Sequence, residues 1–250
     1  MDINLINDDC MKVLPELPNE SIDMILCDLP YGATQNPNDI PLPLNKLWVE
    51  YKRIIKPNGC IALFAQGGFY VDLVNSNRKM FRYDLIWDKV LTTGFLNAHR
   101  MPLRQHEQIA IFYKKLPKYN PQMTIGAPLH SRGKKYITHE ATNNNYGKFN
   151  QAKDLRKGST QKYPTSILRF EKPHPGVTLH PTQKPVELLK WLIKTYTDEC
   201  ETVLDNCMGC GSCGVATVET KRRFIGIEKD KKWFDIAKRL IYKQGGSIDE

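Results

Sequence analysis

Two short stretches of this 250-residue chain hold the residue types that chemistry needs. The first is Asp28-Leu29-Pro30-Tyr31-Gly32, which brings a carboxylate, a backbone carbonyl and an aromatic ring close together. An exocyclic amino group on a heteroaromatic base is a poor nucleophile, because its lone pair is delocalised into the ring. Two acceptors gripping its protons favour a pyramidal nitrogen whose lone pair points at an electrophile. The Asp28 carboxylate can be one acceptor and the Leu29 carbonyl the other. Pro30 stiffens the turn, and Tyr31 offers a face for a base swung out of a helix. The plainer reading of Asp-x-Pro is a strand running out into a turn.

The second stretch places Gly209, Gly211 and Gly214 in G-x-G-x-x-G spacing directly after Asp205. Glycines there let the backbone approach a ligand. Glu228 closes the next apolar run and could hold ribose hydroxyls, or could be a solvated acid before Lys229.

Such groups need a sheet edge to stand on. Ile3 to Ile6, Asp23 to Asp28 and Cys60 to Ala65 read as strands, with a helical turn from Cys10 to Leu14. Lys46 to Ile55 reads as a helix stopped by Pro57-Asn58-Gly59. Phe81 to Trp87 and Gln108 to Tyr113 read as an antiparallel pair. Late in the chain, Val186 to Tyr196 reads as a helix with Pro185 in its first turn. A strand from Thr202 to Asp205, the glycine loop, a helix through Thr220, a strand from Phe224 to Glu228 and a helix from Trp233 to Tyr242 follow. Too few residues follow Gly214 for a whole nucleotide-binding domain, so the remaining strands must come from the N-terminal half. The expected fold is therefore α/β, a Rossmann-like sheet that is circularly permuted.

Composition supplies a partner. The chain carries a formal net charge of +9 with pI near 9.1, which points to a polyanion. Residues 115–178 hold 12 Lys or Arg against three acids, a balance of +9 that equals the whole chain's. Tyr119, Tyr136, Tyr146, Phe149, Tyr163 and Phe170 are interleaved with these cations. A solvated insertion would look similar, but cations for phosphates and rings for bases suit nucleic acid, with Lys134, Lys135, Arg156 and Lys157 as contacts. Residues 1–114, 115–178 and 179–250 are the expected catalytic half, recognition insertion and cofactor half. No signal peptide or membrane span is expected, since Gln66, Gly67, Gly68 and Asp72 interrupt the most apolar stretch. Seven cysteines suggest reduced thiols and a cytoplasmic protein.

These motifs resemble those of a known family. Asp28-Leu29-Pro30-Tyr31 is similar to the Asp-Pro-Pro-Tyr motif of amino-group DNA methyltransferases. Asp205 to Gly214 resembles their Asp-Pro-Phe-x-Gly-Ser-Gly-Thr-Thr-Gly loop, and His180-Pro181-Thr182-Gln183-Lys184-Pro185 matches the segment preceding it. The order, with the catalytic motif first and the cofactor loop last, is that of the beta class. The resemblance implies S-adenosyl-L-methionine as cofactor and double-stranded DNA as substrate, with transfer to adenine N6; the cytosine-N4 reaction is the alternative. It implies a catalytic pocket of Asp28, Leu29, Pro30 and Tyr31. Asp205, Cys207, Gly209 and Gly211 would approach the cofactor's methionine part, with Glu228 on the ribose. Asp9 would touch its adenine, or be only a helix cap, and His180, Thr182 and Lys184 would line the same site. His106-Glu107 also resembles a family pattern, with a structural role expected for the histidine. Asn206 and Cys207 depart from the family's Pro and Phe, which is expected to loosen cofactor packing. A fold that holds DNA without catalysis is a third reading.

Cys207, Cys210 and Cys213 form C-x-x-C-x-x-C, which invites a cluster or zinc reading. Thr217 stands where a fourth cysteine belongs, so no metal is expected. A homodimer is compatible with the sequence.

Overall fold

The computed structural model describes residues 2–32, 39–128, 141–143, 147–149, 158–172 and 183–245. Ile22–Asp28 forms strand β2, buried at six of its seven positions, as a strand covered on both faces must be. In chain order it follows β1 (Ile3–Ile6) and α1 (Cys10–Val13), and precedes α2 (Leu44–Ile54), β3 (Ile55–Ala65), α3 (Gly67–Ser76), β4 (Phe81–Thr93) and β5 (Arg104–Phe112). Two short hairpin pairings come next: β6 (Thr124–Ile125) with β9 (Gln161–Lys162), and β7 (Ala141–Asn143) with β8 (Gly147–Phe149). The chain ends with β10 (Ile167–Arg169), α4 (Val186–Tyr196), β11 (Thr202–Asp205), α5 (Ser212–Glu219), β12 (Arg223–Ile227) and α6 (Lys231–Gly245).

The main sheet has eight strands in the order β1-β12-β11-β2-β3-β5-β4-β10. The last two long-range strands of the chain, β11 and β12, lie between β1 and β2, which is the expected permutation. Val203 and Leu204 of β11 pair in parallel with Met24 and Ile25 of β2. Only β5 runs antiparallel, between β3 and β4. The pleat sends alternate residues to two cores. Met24, Leu26, Cys60, Ala62 and Phe64 pack with α4, α5 and α6, whereas Ile25, Cys27, Ile61, Leu63 and Ala65 pack with α1, α2 and α3. The result is a three-layer Rossmann-like fold.

Three sequence expectations shift. The helix α2 stops at Ile54, and β3 begins at once, carrying Pro57-Asn58-Gly59 in a register shift opposite Ile22 to Met24. A bulge is where a strand tolerates proline. Helix α3 went unread because only Leu73 of it is buried, which leaves its apolar pattern weak. Pro185 caps α4 rather than entering its first turn.

The basic segment is also narrower as a structural unit. Residues Met1–Asn120 with Thr165–Glu250 form one unit, and Pro121–Pro164 forms another. Ile167–Arg169 belongs to the main sheet, paired with Ile86, Trp87 and Asp88 of β4, because Leu168 is buried there and Trp87 Nε1 donates to the Phe170 carbonyl at 2.8 Å. Lys118, one of the counted cations, is neutralised by Asp198 at 2.6 Å and Glu201 at 2.5 Å. Among the described residues, no helix is long and apolar enough to cross a membrane.

Candidate active site

The carboxyl ends of parallel strands leave a crevice where the chain reverses direction across the sheet, here between β11 and β2. A cavity of about 450 Å³ occupies that edge, within the range that small ligands fill. Asp9 follows β1 into it, Glu228 follows β12, and Asp205 and Asp28 end β11 and β2. Phe64 of β3, Glu107 of β5, Trp87 and Lys89 of β4, and Lys172 after β10 line the other flank.

On the glycine-loop side, Gly209 has a left-handed φ of 53°, and its amide donates to Glu228 Oε2 at 2.9 Å. A side chain would be strained at that angle. Glu228 Oε1 accepts from the Asp230 amide at 2.8 Å, and burial raises the Glu228 pKa despite both bonds. Asp205 is buried and accepts from the Cys207 amide at 3.1 Å. Burial pushes its carboxyl up to about 7. Among the described residues Asp205 has no ion-pair partner.

The replaced positions of this loop have structural explanations. Tyr51 donates to Asn206 Oδ1 at 2.6 Å in the core, a bond proline could not accept by side chain. Cys207 packs into the core beside Cys10 and Cys27. Cys213 lies elsewhere, its Sγ 3.6 Å from the Leu26 carbonyl, and Cys210 faces Ser212. Among the described residues no three His, Cys, Asp or Glu are disposed to hold a metal ion.

The Asp28 side is built differently. Tyr31 donates its hydroxyl to Asp28 Oδ1 at 2.6 Å, and the Lys184 ammonium lies 2.8 Å from Asp28 Oδ2. Lys184 also pairs with Glu107 Oε2 at 3.0 Å, and Glu107 Oε1 with Lys89 at 3.3 Å. The ammonium sits 5.0 Å from the Phe64 ring centre and 5.7 Å from that of Trp87, within cation–π range. Burial alone would lower the Lys184 pKa, but Asp28 and Glu107 more than offset it and leave it raised. For Glu107 burial acts upward, and the two lysines overcome it and hold the carboxyl below its usual value. The Leu29 side chain is buried, so only its backbone is available to chemistry. The Tyr31 ring stacks on Phe69 at 4.9 Å, and burial raises its phenol pKa.

A family model described as DNA methylase, of N6 and N4 type, matches residues 22–239. The chain belongs to the DNA methylase family. Its motif order makes this methylase an amino-methyltransferase of the beta class. The type II methyltransferase M.BglII of Bacillus subtilis is 26% identical over 270 residues, spanning 98% of this chain and 70% of its own length. M.HpaI of Haemophilus parainfluenzae is 26% identical over 264 residues, spanning 100% of this chain and 77% of its own. The solved complex of M1.HpyAVI with SAM superposes with a TM-score of 0.64 at 20% identity, covering 96% of this chain and 98% of that one. The cytosine-N4-specific PvuII DNA methyltransferase gives 0.67 at 13% identity, covering 95% and 86%.

Of the residues expected at the methylase site, Asp9, Asp28, Leu29, Pro30, Tyr31, Lys184, Asp205, Cys207, Gly209 and Glu228 all line the cavity. Asp9 also caps α1, accepting from the Met11 amide at 2.8 Å. Gly211 is not among the lining residues. Its φ is 86°, and an added Cβ would lie 2.8 Å from that of Ala237, so it is needed for the close approach of α6. His180, Thr182, Lys134, Lys135, Arg156 and Lys157 lie outside the described residues. Sequence reasoning noted Glu107 beside His106 without giving it a role, and missed Lys89. A signal existed: Glu107 shares its strand face with Ile109 and Ile111, both in the core, and an acid on an inward face requires a partner.

Proposed function

We propose that this methylase transfers a methyl group from S-adenosyl-L-methionine to the N6 amino group of an adenine swung out of double-stranded DNA. The observation that carries the reading is the shared cavity of Asp28 and the Gly209 loop, brought together from opposite ends of the chain. The cofactor is net cationic, and the buried Asp205, without a cation partner among the described residues, fits such a ligand. Asp205 and the Cys207–Gly209 backbone would hold its methionine part, Glu228 its ribose and Asp9 its adenine. When bound, it supplies a sulfonium-activated methyl group.

The chain's own residues prepare the nucleophile. Asp28 already accepts from one hydroxyl and one ammonium, so its oxygens are oriented toward donors inside the cavity. An amino group entering beside it donates to the carboxylate and to the Leu29 carbonyl, and its lone pair becomes localised. Lys184 and Glu107 act as positioning residues, holding Asp28 from behind while the crevice excludes bulk water. The Asp-initiated motif favours adenine over cytosine. Restriction–modification membership is proposed on the type II relatives.

The test is to incubate the protein with DNA and the cofactor, digest the DNA, and weigh the nucleosides. N6-methyladenine is the expected product. N4-methylcytosine would replace the assigned base, and unmodified nucleosides would defeat the transferase reading.

A further inference from the structure

The end of β4 and its connection to β5 gather five exposed large apolar side chains between Leu91 and Leu103. Phe95 is 80% exposed and Leu96 98%, and Leu91, Met101 and Leu103 are also exposed. A lone exposed leucine needs no explanation, but a contiguous apolar tip does. The tip is not slack. Gly94 takes a φ of 86°, Phe95–Asn97 forms a single 3₁₀ turn, and the amides of Asn97, Ala98, Arg100 and Met101 close successive turns at 2.8 to 3.0 Å.

Its place matters as much as its composition. Thr93 and Arg104 form the last rung of the hairpin, and both line the catalytic cavity. The projection therefore rises from the rim of the crevice that is to receive a base. From Val90 to His106 the sequence has no acid and contains His99, Arg100, Arg104 and His106. A cation-flanked apolar tip is complementary to a duplex, with phosphates outside and stacked bases within.

We propose that Phe95 and Leu96 enter the DNA stack and fill the gap left by the base that swings into the crevice. The inference rests on the transferase reading and adds to it the part that stabilises the opened duplex. A base removed from its stack leaves apolar faces exposed to water, and a preordered aromatic–aliphatic pair covers them without a large ordering cost.

The experiment uses short duplexes carrying a site mapped on methylated genomic DNA. One version is fully paired, and the other has an abasic position opposite the target base. The Phe95→Ala/Leu96→Ala double variant is expected to lose about tenfold or more in kcat/KM on the paired duplex and to come within about threefold of wild type on the abasic one. Cofactor binding should be unchanged, since neither residue lines the cavity. The bulky Leu96→Trp variant should retain activity on both. Unimpaired turnover of the paired duplex by the double variant, or an equal loss on both duplexes, overturns the wedge. A variant that changes sedimentation from dimer to monomer yet keeps paired-duplex activity assigns the tip to a second copy and also overturns it. Wild-type protein that methylates neither duplex overturns the transferase reading and the wedge together, which separates that failure from the others.

Discussion

The two flanks of the crevice treat their acids, one buried and one half-buried on each side, in opposite ways. On the β2–β5 flank, Asp28 and Glu107 are tied to Lys184, and Glu107 also to Lys89. On the β11–β12 flank, Asp205 accepts from the Cys207 amide and the Cys27 thiol and Glu228 from the Gly209 and Asp230 amides, with no lysine or arginine paired to either among the described residues, and burial raises both pKa values. A carboxylate supplied with an internal cation is a fixed tool, held in place before anything binds. A carboxylate buried without one is a socket, whose desolvation cost is recovered when a cationic ligand arrives. The difference divides the cavity into a part that acts on the base and a part that waits for the cofactor.

The sharpest way to break this comparison is to cut the tool itself. Asp28→Ala should reduce methyl transfer by about 10³-fold or more while calorimetry finds cofactor affinity within about threefold of wild type. Near-normal turnover would remove Asp28 from the chemistry. Lys184→Met should come next. It leaves the half-buried Asp28 without a cation and the buried Glu107 with Lys89 alone, and should cost about 3 kcal/mol in urea unfolding, with Lys184→Met/Glu107→Gln recovering part of that loss. If the double variant is no more stable than the single one, the two residues do not act as a pair.

Asp205→Asn tests the socket. Cofactor affinity should fall by about tenfold, yet the ligand-free variant should be more stable than wild type at pH 8, by ~1–3 kcal/mol. The sign follows from a folded carboxyl near 7 against an ordinary 3.8. Between those values the folded state keeps a proton that the unfolded chain releases, so wild-type stability falls as pH rises through that window. Thermal melts of wild type and variant from pH 4 to 8 should therefore converge at the acidic end. The smallest effect concerns the basic insertion. Lys134→Glu with Lys135→Glu should weaken DNA binding several-fold and reduce the slope of log K against log salt by about two, with cofactor binding unchanged. An unaltered slope would exclude both from phosphate contact.

The elements most legible in the sequence were those with a single solution. Thr202–Asp205 is a four-residue apolar strand between turn residues, and Val186–Tyr196 shows one apolar face, so both were found nearly to the residue. The Asp28 motif and the Gly209 loop were readable because each joins a strand end to a turn with few alternatives. Helix α3 was not readable, since only Leu73 is buried in it and its pattern is weak. Strand β10 was hidden for a related reason. Three residues with one buried side chain carry no periodicity, and their strand character comes from the hydrogen-bonding edge of β4. Glu107 shows the third kind of obstacle: its meaning depends on Lys184, 77 positions away.

That separation has a temporal consequence. The Thr202 amide donates to Asp23 Oδ2 across 179 positions, and Tyr51 reaches Asn206 across 155. A growing chain on the ribosome holds the reactive motif at the end of β2 long before β11, the strand that must lie beside it, has been made. Until then β2 has an open hydrogen-bonding edge, and the nascent polypeptide is an incomplete enzyme exposed to mispairing. Insertion of β11 between β12 and β2 is thus a nonlocal pairing, of the kind that forms late, and it is the event that completes the crevice.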